Sequence, residues 1–249
     1  MRRIAAALTL FTRIPVWRWT DIPAAAYSSA VVFWPLTGWI TGGVAALTVW
    51  LLSMVMPLAP AVACALVARL LLTGALHEDG LADFCDGFGG GRDKEGILRI
   101  MKDSHIGTYG VIGLICWFLL VWSLLSSLSA DLAALALLAA DPMAKCCASQ
   151  LTNLLPYARP EGAKNKISYS RMSVGDYLFN VMYGILPIVP LLLVAPLTIC
   201  AVVFPIAAMA LMIRMMRRRI GGYTGDCCGA TFLVCEATML VGIIILVNL

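Results

Sequence analysis

Asp79, Asp83 and Asp86 stand four and three residues apart, a spacing that on a helix turns their side chains into one arc of its surface. With Glu78 they place four carboxylates within nine residues, and the first cation downstream is Arg92. No Lys or Arg lies among them, so pairing along the helix cannot offset their repulsion, whereas a hard divalent cation can. The bland alternative is a solvated acidic helix end. Gly80, Gly87, Gly89, Gly90 and Gly91 surround the acids with backbone that a phosphate can approach closely, which favours metal-assisted chemistry on a phosphate group. Cys85 is read as a small packing residue, because oxygen donors select Mg2+ or Mn2+ over a metal that seeks thiolate.

The rest of the chain says where such a cluster must sit. Of 249 residues 61% are hydrophobic and 13% charged, and the mean hydropathy is +0.90, more apolar than a soluble core requires. The fold class is therefore all-α: a polytopic membrane bundle forming one domain over residues 1–249. No charged residue occurs between Asp21 and Arg69, room for two crossings at about 20 residues each. The hydrophobic pattern predicts seven spans, near residues 24–52, 59–76, 107–128, 132–154, 177–194, 197–214 and 231–249. The bounds are six and eight, because Pro187, Pro190, Pro196 and Pro205 can kink or shorten the fifth and sixth.

Basic residues gather before the first span (Arg2, Arg3, Arg13, Arg18), after the second (Arg92, Lys94, Arg99, Lys102), after the fourth (Arg159, Lys164, Lys166, Arg171) and after the sixth (Arg214, Arg217, Arg218, Arg219). Seven spans put all four groups on one face, which the positive-inside rule makes cytoplasmic. The net charge of +4 thus describes loops at a lipid bilayer and not a nucleic-acid surface. Nine cysteines, an odd number with no CxxC spacing, support neither a disulfide framework nor a zinc site. Arg13 and Arg18 interrupt the N-terminal apolar run too early for a cleaved signal peptide. A retained interfacial segment, with Trp17 and Trp19 at the headgroups, is expected instead.

Four further polar pieces share the basic face. Arg13 in Phe11–Pro15 is either a phosphate contact or an interfacial anchor. Lys102, Asp103 and Ser104 supply a cation, a further acid and a hydroxyl before the third span. Arg159 can clamp an anionic group, and Gly221–Asp226 has the glycines, the Thr224 hydroxyl and the Asp226 carboxylate of a substrate loop. Inside the spans, where a charge costs on the order of 2.5–3.5 kcal/mol, Asp141 and Lys145 are either an intrahelical pair or place Lys145 at a substrate cavity. Glu236 is expected near the same cavity, within two turns of the last helix's cytoplasmic end. Arg69 has no partner in the sequence pattern and reads as snorkelling.

Taken together, FTRIPV at the start, FWPLTG at Phe33–Gly38, TGALHEDGLADFCDG at Thr73–Gly87, IMKDSHIGTYG at Ile100–Gly110, YARPEG at Tyr157–Gly162 and GGYTGDCCGA at Gly221–Ala230 resemble the cobalamin synthase family, the adenosylcobinamide-GDP ribazoletransferases. The motifs follow the family order across nearly the whole chain, and the H-x-D-G-L-A-D-x-x-D-G block is the specific one. The resemblance implies a membrane enzyme of the bacterial inner membrane, its active site facing the cytoplasm. It would transfer the cobinamide phosphate of adenosylcobinamide-GDP to α-ribazole or its 5'-phosphate and release GMP, with Mg2+, or Mn2+ in its place. Asp79 takes the family's essential aspartate, and Asp83 and Asp86 its following acids. Lys145 stands where the family has arginine, and lysine cannot make the planar bidentate contact.

On this reading Asp79, Asp83 and Asp86 hold the metal, and Asp86 or Asp103 accepts the hydroxyl proton. Lys102, Arg159 and Arg13 balance phosphate charge, and His77 orients a metal-bound carboxylate. Ser104, Lys145, Thr224, Asp226 and Glu236 complete the substrate contacts. The candidate protein partners are a second copy of the chain and other corrinoid-assembly enzymes. Two rivals fit less well. CDP-alcohol phosphotransferases carry D-x-x-D-G-x-x-A-R, but here Asp86-Gly87 runs into Phe88-Gly89-Gly90-Gly91. A cation transporter would place its charges at the midplane of related halves, and no repeat is visible.

Overall fold

A computed structural model describes residues 1–159 and 169–249. Lys164, Lys166 and the Pro160–Gly162 part of the YARPEG motif lie outside the described residues. The principal helices are α1 (Arg2–Phe11), α2 (Trp34–Leu52), α3 (Leu58–Thr73), α4 (Leu76–Gly90), α5 (Lys94–Ile100), α6 (Thr108–Ser126), α7 (Ala130–Ser149), α8 (Val174–Ile185), α9 (Val203–Arg219) and α10 (Gly225–Val247). Six segments are long and apolar enough to cross a bilayer: Ala30–Leu52, Thr108–Ser126, Ala130–Leu154, Val174–Val194, Pro196–Arg219 and Gly225–Val247. The α3–α4 pair, bent by 92°, brings the count to seven if it is one broken span.

Contacts between the helix ends establish that it is. At one end Trp50 donates to Asp131 (3.1 Å) and Trp122 to the Ala59 carbonyl (2.9 Å). At the other, Arg3 pairs with Asp176 (2.8 Å), Arg217 donates to the Leu154 carbonyl (3.3 Å) and Arg219 to the Gly91 carbonyl (2.8 Å). The chain therefore enters α3 at the first end and leaves α4 at the second, where the basic segments meet one another.

The break has a local cause. Gly74 and Ala75 are consecutive left-handed residues (φ 68° and 56°), and both amides donate to the Leu70 carbonyl, closing α3 while turning the chain. A non-glycine residue in this region costs on the order of 1–2 kcal/mol, so the corner at Ala75 is held by its surroundings. α1 buries Ala6, Ala7 and Phe11, while Trp17 and Trp19 stand exposed beyond it, the arrangement expected of an interfacial segment. In the bundle α2 packs along α7, where Gly38 and Gly42 let the backbones approach. α10, largely buried along its length, packs on α4, α7 and α9.

α10 begins six residues before the predicted start of the last span. Thr224 caps it, its Oγ1 accepting from the Cys227 amide (3.3 Å), which places Asp226 in the first helical turn. All nine cysteines are free. Among the described residues there is no strand, only one isolated parallel bridge between Tyr157 and Tyr223.

Candidate active site

α4 crosses α10 through two small residues. A Cβ on Gly80 would stand 3.0 Å from the Asp226 carbonyl oxygen, and one on Gly229 would stand 3.1 Å from that of His77. This close crossing sets Asp79 and Asp83, on the solvent-facing side of α4, beside Asp226 in the first turn of α10, within range of one another's charge. Arg159 reaches the same place. The Tyr223 amide donates to the Pro156 carbonyl and the Ala158 amide to the Tyr223 carbonyl (both 2.9 Å), so the loop after α7 is stitched to the loop before α10. Arg159 then donates to Asp226 (3.1 Å) and to the Met101 carbonyl (3.5 Å), while its Nε has no partner. Arg159 thus bonds one of three neighbouring carboxylates directly and lies within charge range of Asp83, with a donor to spare.

Other predicted site residues are placed differently. Asp86 does not share the open arc: its Oδ2 accepts from the Gly107 amide (2.7 Å) and its Oδ1 from that of Gly110 (2.8 Å), so it caps the start of α6. A carboxylate with both oxygens so engaged is a structural bond between α4 and α6 and a poor choice as proton acceptor. Asp103 is exposed, and the His105 ring and amide, bonding to it at 2.7 and 3.0 Å, hold its carboxyl below the usual range. That makes it a weaker base. Lys102 and Ser104 are exposed on the same loop, next to Met101. Thr224 is fully buried as the α10 cap and also donates to Asp226 (3.3 Å), so it steadies that carboxylate instead of facing a ligand. The glycines read as a phosphate cradle are contact points: Gly80 admits α10, and Gly87 lies under the Met101 side chain.

Lys145 and Glu236, both expected at a substrate cavity, are sealed in the bundle. Lys145 pairs with Asp141 (2.6 Å) and donates to Thr41, whose hydroxyl bonds to Asp141 (2.9 Å). Arg69 pairs with Glu236 and stands 3.8 Å from Asp141. Instead of snorkelling, Arg69 is the hub of a four-member ionic cluster joining α3, α7 and α10, flanked by Trp117 and Phe232. Its signal was in the sequence: Arg69 and Glu236 are opposite charges in separate apolar spans, neither with a local partner. Burial also corrects the depth of Glu236, three turns into α10.

His77 stacks on Trp34 (5.6 Å between ring centroids) and meets Phe232 edge-on (4.8 Å). Its Nε2 has no partner, and no hydrogen bond joins it to a carboxylate. Arg13 is exposed, and its side chain lies over Gly74 at the α3–α4 corner. Beside the acids opens a cavity of about 150 Å³ lined by Phe11, Trp34, His77 and Tyr169, with Asp79 and Asp226 at its edge. Burial raises the Tyr169 hydroxyl above its ordinary range, so it stays protonated.

Among the described residues no three His, Cys, Asp or Glu side chains already converge as a complete metal-ligand set. The donor chemistry nevertheless fits a hard cation, since Mg2+ is usually held by one or two carboxylates together with substrate phosphates.

The model of the cobalamin-5-phosphate synthase family matches residues 3–244. The chain belongs to that family. It is 40% identical to the adenosylcobinamide-GDP ribazoletransferase of Ralstonia pickettii over 242 residues, 96% of this chain and 93% of the relative. The enzymes of the same name from Ralstonia nicotianae and Shewanella oneidensis are 39% and 36% identical, covering 96% and 92% of this chain and 93% and 88% of their own. No solved structure matches. The chain is thus a multi-pass helical membrane protein and a transferase of cobalamin biosynthesis.

Proposed function

We propose that the chain transfers the cobinamide phosphate of adenosylcobinamide-GDP to a ribose hydroxyl of α-ribazole or α-ribazole 5'-phosphate, releasing GMP. The observation that carries this reading is the gathering of Asp79, Asp83 and Asp226 within range of one another's charge, with Arg159 bonded to Asp226 as the one cation among them, at the basic end of the bundle. Such an excess of carboxylate is costly for a diphosphate unless a cation stands between them. One or two of Asp79, Asp83 and Asp226, together with substrate phosphates, would hold Mg2+ or Mn2+, and the ion would supply neutralisation of the charge that develops on the departing phosphate.

The ribose oxygen forms its bond to the phosphorus that carries cobinamide, and the bond from that phosphorus to the bridging oxygen breaks. GMP leaves with that oxygen and the electron pair. The hydroxyl proton passes to a carboxylate, and Asp79 or Asp83 suits this task because neither has both oxygens occupied by the fold. Arg159 offers its free donors to the phosphates, with Lys102 and Arg13 as further cations on the same face. The one-sided basic segments support a cytoplasmic site at the inner membrane, where GDP-activated corrinoid is accessible.

The test is incubation of the purified chain in liposomes with adenosylcobinamide-GDP, ribazole phosphate and Mg2+. GMP and a corrinoid bearing its lower ligand should appear together, and chelation of the metal should stop both. Release of CMP from a CDP-activated lipid, with no corrinoid product, would support the lipid-enzyme reading instead.

A further inference from the structure

The cavity beside the acids is lined by rings. Phe11 stacks on Trp34 (4.8 Å, 14° between planes), Trp34 stacks on His77 (5.6 Å, 22°), and Tyr169 lines the same space. Phe11, Trp34 and His77 are 5%, 1% and 2% exposed, whereas Asp79 is open to solvent. The interior is therefore apolar and aromatic, and the carboxylates mark its mouth. Trp34 Nε1, a donor only, is buried without a partner among the described residues.

Resting on the function proposed above, the geometry points to this cavity as the subsite for the aromatic base of the acceptor nucleoside. A corrin macrocycle is far larger than about 150 Å³. Guanine carries a keto group, three N–H bonds and two ring acceptors, more polar sites than Trp34 Nε1, His77 Nε2 and the Tyr169 hydroxyl could partner, so the remainder would lose water without replacement. The base of ribazole is a dimethylated benzimidazole: flat, bicyclic, with no exocyclic polar group and one free ring nitrogen that accepts a hydrogen bond. It gains apolar burial and ring contacts from the wall, and its acceptor nitrogen supplies the kind of partner that the indole N–H lacks. With the base inside, the ribose emerges at Asp79 and Asp226, where the transferred phosphate must lie.

The test is steady-state kinetics in liposomes with both substrates varied. Trp34→Phe keeps a ring but removes the N–H, and Cys228→Leu narrows the cavity, which Cys228 also lines. Each should raise KM for ribazole at least tenfold while leaving KM for adenosylcobinamide-GDP within twofold. A measurement on the unaltered chain stands beside them should either variant fail to fold: free dimethylbenzimidazole should inhibit competitively against ribazole and not against adenosylcobinamide-GDP. Competition with adenosylcobinamide-GDP, a rise in KM for that substrate instead, or no inhibition at millimolar base would overturn the subsite while turnover persists. Absence of turnover by the unaltered chain would overturn the reading on which the subsite rests.

Discussion

Arg69, Lys145, Asp141 and Glu236 are sealed between α3, α7 and α10 as two cations and two anions, each engaged by another member. Asp79, Asp83, Asp226 and Arg159 stand at the basic end, part-exposed, with three anions to one cation. Charges deep in lipid-facing protein persist only when they neutralise one another, because an unpaired ion there costs several kcal/mol. At the edge, water tolerates an imbalance, and on the function proposed above the net negative charge kept in one place by a tight helix crossing is a provision for a cation. The inner cluster is neutral as a set and closed to solvent; the outer one is open and carries an excess of negative charge.

The largest effect should come from removing charge at the outer cluster. Asp79→Asn, and likewise Asp83→Asn, should lower kcat/KM by about 10,000-fold, about 5 kcal/mol of transition-state stabilisation, with thermal unfolding in detergent unchanged within two or three degrees. Near-normal rates in both would make the outer acids a solvated helix face and dissolve the contrast.

Arg69→Met should do the opposite. It strands Glu236 and should destabilise the fold by about 3–5 kcal/mol, seen as a lower unfolding temperature and a lower yield of folded protein. Replacing Asp141 with Leu and Lys145 with Met together keeps the cluster neutral, so turnover should stay within a few-fold of normal. Complete loss of turnover in folded double-variant protein would mean that the inner cluster takes part in chemistry.

Gly80→Ala tests what joins α4 to α10. The added methyl meets the Asp226 backbone and should cost about 1–3 kcal/mol. It should also weaken the Mg2+ dependence of turnover by moving Asp79 and Asp83 away from Asp226. Asp103→Asn should have the smallest effect, within about threefold on kcat, worth about 0.6 kcal/mol. A thousandfold loss there would return the role of proton acceptor to the α5–α6 loop.

The spans were legible because lipid demands long apolar runs and the basic loops fix their parity. The Asp79–Asp83 face was legible too, since a spacing of four is enough to align two side chains on any helix. Asp226 as their companion was not, because it depends on a bridge between Tyr157 and Tyr223 and on Gly80 and Gly229 meeting across two helices. Asp86 shows the limit of spacing alone: it lies on the right helix, but two amides of the next helix claim its oxygens. Arg69 shows another, since its partner Glu236 is 167 residues away and periodicity carries no information at that range. Glycines near acids signalled close approach correctly, yet the object that approaches is another helix.

The corner at Gly74 and Ala75 has a consequence for how the protein is made. α4 leaves the ribosome bearing four carboxylates; Trp34, on which its His77 stacks, is already made, but the groups that engage the rest of the helix, the Gly107 and Gly110 amides, the Arg219 guanidinium and the backbone of α10, are synthesised later. An acidic residue at the centre of a helix costs on the order of 2.5–3.5 kcal/mol to insert, so α4 is expected to stay at the headgroups at least until α6, whose first amides take up Asp86, has been made. A nascent chain halted just before Gly225 lacks the α10 backbone against which Gly80 packs, so its acidic helix is held by Trp34, by the start of α6 and by Arg219 but not by that crossing.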